Sequence, residues 1–300
     1  MAKKQRAGTA GRRSRRARET VREQVDGGLA ELCPDPDRAR AWTLTLDGAP
    51  QSHVDLDDPA YLDFAYQRRL GHVADLVAPA GRPVHALHLG GGAFTLARYV
   101  AASRPRSVQQ IMEIDAPLTG FVRRELPLQS GWRIRVRNAD ARAGLAKVPD
   151  GWADLVIADV FAGARTPPHL TSAEFLTEVR RTLCPGGWFA ANHTDGAATG
   201  AGAQALGYLK SQVATAGRVF ASVCLTADPA VLRGRRFGNA VLLASDGPLP
   251  VAELTRRTAG DPHPGRVEHG RALTDFAAGA PPVTDATACP SPAPPAGAFD

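Results

Sequence analysis

Apolar and polar positions change period several times along the chain, and each change marks an element. Trp42 to Leu46 alternates apolar and polar residues, Asp47-Gly48 is a hairpin turn signal, and Gln51 to Leu56 supplies a return strand. Asp57-Asp58-Pro59 then reads as a helix start, with an apolar face made of Leu62, Ala65, Tyr66, Leu70, Val73, Leu76 and Val77. Val84, Leu87 and Leu89 form an apolar run that stops at Gly90-Gly91-Gly92. From Phe94 the spacing becomes helical, and a second run, Val108 to Met112, ends in Glu113 and Asp115. Further strands are predicted at Arg133–Val136 and Ala153–Val160, then a helix from Thr171 to Leu183. Pro185-Gly186-Gly187 turns the chain into a fifth strand, Trp188–Asn192. A helix over about 202–216 and two strands, 218–225 and 238–244, complete the periodic part.

Strands alternating with helices predict an α/β fold: a doubly wound, mostly parallel, Rossmann-like sheet. The last two strands have no helix between them and are expected as an antiparallel edge pair, and a small N-terminal β hairpin precedes the sheet. Ahead of the hairpin, Glu19 to Leu32 reads as a short helix and 33–40 as a linker. Beyond 246 the apolar period fades, and six prolines fall within 279–300. The expected organisation is a basic disordered tail and linker over 1–40, hairpin and helix over 41–78, a nucleotide-binding α/β domain over 79–246, and an irregular Pro/Gly-rich segment over 247–300.

Composition narrows the class. A hydrophobic content of 44 % suffices for a sizeable core. No apolar run approaches the roughly 20 residues that cross a bilayer, and the N-terminus lacks the apolar segment of a secretory signal. Cys33, Cys184, Cys224 and Cys289 are scattered without metal spacing, which points to a reduced cytoplasm and to no metal site. The net charge of +6 belongs to a tail: residues 1–18 carry eight Lys or Arg and no acid, and the remainder holds 28 bases against 30 acids. Nucleic acid is therefore expected, if at all, only at the tail.

The chemistry gathers at predicted strand ends, where open α/β sheets bind ligands. Glycines at 90–92 let a ligand approach backbone, and an acid some twenty residues on, Glu113, accepts ribose hydroxyls. Thr95 stands where a dinucleotide fingerprint has its last Gly. That disfavours NAD and FAD more than a nucleoside without pyrophosphate, such as S-adenosylmethionine. Asp140 is placed to accept an exocyclic amine of adenine, and Asp159 to face the reacting end. His169 and His193 read as surface or capping residues, His85 and His88 as strand histidines. Asn192 to Gly196 lacks a third metal ligand at suitable spacing, and Arg233, Arg235 and Arg236 read as a solvated hairpin tip.

This arrangement resembles the class I S-adenosylmethionine-dependent methyltransferase fold and, within it, the spermidine synthase (polyamine aminopropyltransferase) family. LDGAPQS (Leu46–Ser52) resembles that family's LDG-x-x-Q hairpin, and Asp57-Asp58-x-x-Tyr61-Leu62-Asp63 its D-E-x-x-Y-H-E segment. HLGGGAF is similar to its GGGDGG turn, MEID to its EID, and LVIADVF to its strand ending in a catalytic Asp. Leu170-Thr171-Ser172-x-Glu174-Phe175 and Leu183-Cys184-Pro185-Gly186-Gly187 resemble its L-T-x-x-F and L-x-P-G-G patterns. The resemblance implies a transferase whose donor substrate is S-adenosylmethionine or its decarboxylated form. Gln51, Gly90, Gly91, Gly92, Glu113 and Asp140 would bind the donor, Asp159 would be catalytic, and Tyr61 and Asp63 would meet a small-molecule acceptor such as an amine. It also implies a homo-oligomer. Three positions depart from the pattern: Leu62 replaces a polar residue, Ala93 an Asp that holds the donor chain, and Ala162 falls where a second Asp follows the first. Aminopropyl transfer in polyamine biosynthesis, methyl transfer on the same scaffold, and a non-catalytic nucleoside-binding role all remain open at this point.

Overall fold

A computed structural model describes residues 18–197 and 205–295. The basic run from Lys3 to Arg16 lies outside the described residues. The chain opens with a four-stranded antiparallel meander, β1 (Val21–Val25), β2 (Gly28–Pro34), β3 (Ala41–Leu46) and β4 (Ala49–Asp55), in sequential order. The expected β3–β4 hairpin is present, and Asp47 and Gly48 both take the left-handed conformation that a two-residue hairpin loop favours.

The helix expected over Glu19–Leu32 is instead the β1–β2 hairpin, and the predicted linker is partly strand. Asp26-Gly27 is the same turn signal as Asp47-Gly48, and Val25 pairs with Gly28 across it. Ala30 and Leu32 point inward at period two, while Leu29 is exposed. The meander's inner face joins Val25, Ala30, Leu32, Leu44 and Val54 to Phe94, Ile111, Leu118, Phe121 and Val122 of the main domain. Arg18 is already ordered, with its guanidinium donating to the carbonyls of Asp35, Arg38 and Ala41.

The main sheet has eight strands: β5 (His85–Leu89), β6 (Val108–Glu113), β7 (Arg133–Asn138), β8 (Ala153–Ala158), β9 (Leu183–Asp195), β10 (Ser222–Ala227), β11 (Gly238–Ser245) and β12 (Arg266–His269). Their order is β12-β10-β11-β9-β8-β5-β6-β7, with β9, β8, β5, β6 and β7 mutually parallel. The antiparallel β10–β11 pair forms as expected but is not the edge, because β11 inserts beside β9 and the short, charged β12 pairs with β10 outside it. The Pro185-Gly186-Gly187 turn is a bulge within β9: Leu183 pairs with Ala153, and pairing resumes at Trp188 with Leu155.

Helices cover both faces of the sheet, as a doubly wound fold requires. The helices are α1 (Ala65–Leu76), α2 (Thr95–Ser103), α3 (Ala116–Glu125), α4 (Ala141–Leu145), α5 (Ala173–Thr182), α6 (Gly207–Val219), α7 (Pro229–Leu232), α8 (Val251–Ala259) and α9 (Gly270–Ala277). Alternate strand residues serve opposite cores. Leu87, Leu89 and Val156 pack with α5 and α6, whereas Ala86, Leu155 and Ile157 pack with α1, α2 and α8.

Two helix boundaries differ from expectation. α1 begins at Ala65 rather than near Pro59, because Asp55 Oδ1 takes the N–H groups of Asp57 and Asp58 and holds that stretch in a turn. At its other end Arg104 replaces a conventional cap, donating to the carbonyls of Ala74, Asp75, Ala78, Pro79 and Arg82. Beyond residue 246 the chain is not irregular throughout. The prolines and glycines that suggested disorder flank α8, which buries Leu254 and Thr258, and α9 buries Leu273. After α9 the chain runs without regular structure, tied down where Ala173 donates to the Val283 carbonyl and Arg142 pairs with Asp285. Among the described residues no helix is long and apolar enough to cross a membrane.

Candidate active site

A cleft of about 1230 Å³ opens at the carboxyl ends of β5, β6, β8 and β9, between the main sheet, the meander and the start of α1. Sequence-predicted residues Gln51, Asp63, Gly90, Gly91, Gly92, Glu113, Asp140 and Asp159 all line it. Tyr61 does not. Its ring lies under the Arg38 guanidinium at 3.5 Å, and its hydroxyl donates to Asp63 Oδ1 at 2.9 Å.

The glycine turn owes its shape to close backbone approaches. Gly90 has φ of +87°, and a Cβ there would sit 2.3 Å from the Asp159 carbonyl oxygen, so only glycine lets the β5 and β8 ends converge. Gly91 donates its N–H to Glu113 Oε2 at 2.8 Å, and Asp115 donates to Oε1 at 2.9 Å. Each Glu113 oxygen keeps one acceptor site free, since a carboxylate offers about four. Gly92 is left-handed, and a Cβ on it would meet Ser52 Oγ at 2.7 Å. Ser52 Oγ also accepts the N–H of Ala93, which is buried, so the meander seals this turn from above. Beneath it, the buried Arg98 donates to the Ala93 carbonyl and to the Leu126 and Pro127 carbonyls. Burial lowers the Arg98 pKa to about 10.

Asp140 caps α4, taking the Arg142 and Ala143 N–H groups on Oδ1. Its Oδ2 pairs with His169 Nε2 at 2.8 Å. Although desolvation opposes it, these bonds and the facing imidazole hold the Asp140 pKa below its ordinary value. His169, read from sequence as a surface or capping residue, therefore belongs to the cleft wall.

Asp159 follows β8 at the floor of the cleft. It keeps a partial opening to solvent while protein surrounds it on nearly every side. That desolvation raises its pKa to about 6, against the opposing pull of hydrogen bonds from Asn192 and Tyr66. Asn192 Nδ2 donates to Asp159 Oδ1 at 2.9 Å, and Asn239 Nδ2 donates to Asn192 Oδ1 at 3.1 Å. The Tyr66 hydroxyl faces the carboxylate and donates at 3.2 Å to the Gln51 carbonyl; burial keeps its own pKa well above the usual phenol value. Tyr66 and Asn192 were not singled out from sequence as partners of Asp159. Tyr66 counts toward the apolar face of its helix, but Asn192 closes a predicted strand and could have been found by the strand-end rule that located the acids. His193, its neighbour, turns the other way onto Tyr208. Among the described residues no group of three potential metal ligands forms.

The loop after Asp159 doubles back on itself. Ala162 and Arg165 exchange backbone hydrogen bonds, and Gly163 and Ala164 are left-handed between them. Arg165 does not line the cleft. Its guanidinium donates to the Ser291 and Pro290 carbonyls of the C-terminal segment. His88, under the glycine turn, bonds Gln109 and is held neutral by burial, which lowers its pKa to about 4.

No family model matches the chain. A probable spermidine synthase from Corynebacterium glutamicum is 32 % identical, with a TM-score of 0.81 over 89 % of this chain and 97 % of that one. A polyamine aminopropyltransferase of Chromobacterium violaceum is 29 % identical over 148 residues, covering 49 % of this chain and 55 % of that protein, so the match spans about half of this curated relative. A spermidine synthase solved in complex with the transition state analogue AdoDATO has the same fold, with 20 % identity and a TM-score of 0.54 over 80 % of this chain and 77 % of its own. With the near full-length likeness to the Corynebacterium protein, the chain belongs to the spermidine synthase family.

Proposed function

We propose that the protein is an aminopropyltransferase acting between an S-adenosyl sulfonium donor, in its decarboxylated form, and a small amine. The observation that carries this reading is one cleft holding both halves of the chemistry. The glycine turn with Glu113 and Asp140 stands at one side, and the desolvated Asp159 at the other. The free acceptor sites of Glu113 take the ribose hydroxyls, and the remaining acceptor site of Asp140 takes the adenine amine. Gln51 closes over the nucleoside from β4.

The attacking amine must be neutral to offer its lone pair. That pair attacks the carbon bonded to sulfur; the C–N bond forms as the C–S bond breaks, and the C–S electron pair leaves with sulfur as the neutral thioether of methylthioadenosine. The proton released from nitrogen passes to Asp159, whose pKa near 6 keeps it ionised at neutral pH and still basic enough to receive it. Asn192 fixes the carboxylate's orientation. Asp63, oriented by Tyr61, offers a carboxylate to the acceptor's ammonium. The relatives favour neither methyl transfer nor a non-catalytic role. Incubation with decarboxylated S-adenosylmethionine and a panel of diamines should release methylthioadenosine. S-adenosylhomocysteine formed from S-adenosylmethionine, or no product across the panel, would reject aminopropyl transfer.

A further inference from the structure

The far end of the same cleft carries a charge that a simple diamine does not call for. Arg69, on the second turn of α1, is only 2 % exposed, yet it lines the cleft. Its Nε is buried without a hydrogen bond partner, and among the described residues its guanidinium makes neither a hydrogen bond nor a salt bridge within 4.0 Å.

The surrounding charges do not remove the need for a partner. Asp228 and Asp261 face Arg69 favourably and Arg236 unfavourably. Asp228 already accepts the Ala230 N–H and the Arg236 guanidinium at 3.0 Å; Asp261 Oδ1 is taken by His72, and its Oδ2, buried and without a hydrogen-bond partner, makes no salt bridge to Arg69 within 4.0 Å. Gly265 lets the backbone pack closely against the guanidinium: a Cβ there would come within 3.0 Å of Arg69 Nε. A buried guanidinium without a hydrogen-bonded ion-pair partner is costly, and a planar carboxylate is the group whose geometry matches its donors.

Position tells which ligand end this is. Glu113 and the glycine turn lie at the ends of β5 and β6, and Asp159 follows β8. Arg69, Asp228 and Arg236 cluster where β10 ends and β11 begins, beyond Asp159 in the strand order. Meanwhile the positions where the family resemblance leads one to expect a polar or acidic residue are Leu62, Ala93 and Ala162. A second ammonium placed at this end would meet Arg69 and Arg236, while Asp228 is already paired with Arg236 and Asp261 with His72. We propose that this end of the cleft binds a carboxylate of the substrate through Arg69, with Arg236 beside it, so that the acceptor is an amine that also bears a carboxylate.

The inference rests on the transferase reading, and binding separates the two. Calorimetry would compare ornithine with putrescine on protein saturated with methylthioadenosine, and S-adenosylmethionine with its decarboxylated form on free protein, for the wild type, Arg69→Met and Arg69→Lys. Expected is a preference for ornithine that falls about 10- to 100-fold in Arg69→Met, the loss of a charge-assisted bidentate bond, and only partly in Arg69→Lys. Methylthioadenosine affinity and the melting temperature of the Met variant should stay near wild type. An Arg69-dependent preference for S-adenosylmethionine would overturn the assignment to the acceptor and place the carboxylate on the donor. Methylthioadenosine binding with no Arg69-dependent preference in either pair would overturn the inference while leaving the transferase reading intact. No methylthioadenosine binding at all would overturn both.

Discussion

Replacing Asp159 with Asn should stabilise the protein above pH 7 while disabling it. In the folded chain the carboxylate is raised from 3.8 to about 6 by desolvation, so the native state holds a proton that the unfolded state has released across that window. Stability therefore falls as pH rises from 3.8 to about 6, and above it the full cost is present. At ~1.4 kcal/mol per tenfold change in proton affinity this is ~3 kcal/mol, or ~2 kcal/mol allowing for water that enters the cleft. Asn retains the shape and an oxygen for the Asn192 Nδ2 at 2.9 Å, but removes the buried charge. Urea unfolding at pH 8 should show the variant more stable by ~2–3 kcal/mol, with the difference shrinking to about 0.5 kcal/mol at pH 4, where the wild-type carboxyl is protonated. Turnover should fall about 10²- to 10⁴-fold, as for a lost general base, and wild-type kcat/KM should decline on the acid side near pH 6. A variant that is less stable at pH 8, or equally shifted at both pH values, would refute the assignment of a desolvated, ionised carboxylate.

Other perturbations follow from the same geometry. Gly90→Ala should abolish methylthioadenosine binding, because its Cβ would collide with the Asp159 carbonyl at 2.3 Å and the left-handed backbone resists a side chain; calorimetry reads the loss. Arg104→Lys should lower stability by ~3 kcal/mol, since an ammonium cannot satisfy the five carbonyls at and just beyond the end of α1; chemical denaturation measures it. His88 and His193 are both held neutral by burial, at pKa values of about 4 against 6.5 unfolded. Their contribution is therefore lost as pH falls from 6.5 toward 4, and their imidazole NMR resonances should show no titration above pH 5.

The stretch from β5 to Glu113 was legible because its signals are local: an apolar run, glycines and an acid at a fixed spacing. Asp159 was legible for the same reason, as the residue that ends a fully apolar strand. What escaped depends on rotation or on distance along the chain. Tyr66 occupies a helix position that is apolar by period, and only the fold shows that its hydroxyl reaches Asp159. Asp140 finds His169 after 29 residues, and no sequence spacing marks that pair. Arg165, in the loop after Asp159, is drawn away from the cleft by carbonyls 125 and 126 residues later. The β1–β2 hairpin was readable at Asp26-Gly27, but its open face mixes Arg22, Gln24 and Glu31 with Leu29 and Cys33, and Glu23 lies opposite Ala30 on the inner face, which masks the alternation. In the last fifty residues the prolines flank helices rather than interrupt them, so their abundance hides α8 and α9 from a compositional reading.

The central claim is that the glycine turn and Glu113 hold an adenosyl nucleoside by its ribose. Calorimetric titration of methylthioadenosine against its 2′,3′-dideoxy analogue tests it most directly. The account predicts saturable one-to-one binding of methylthioadenosine and an affinity for the dideoxy analogue weaker by about tenfold or more, from the loss of hydrogen bonds to a charged acceptor. Equal affinities, or no binding of either compound, would contradict it.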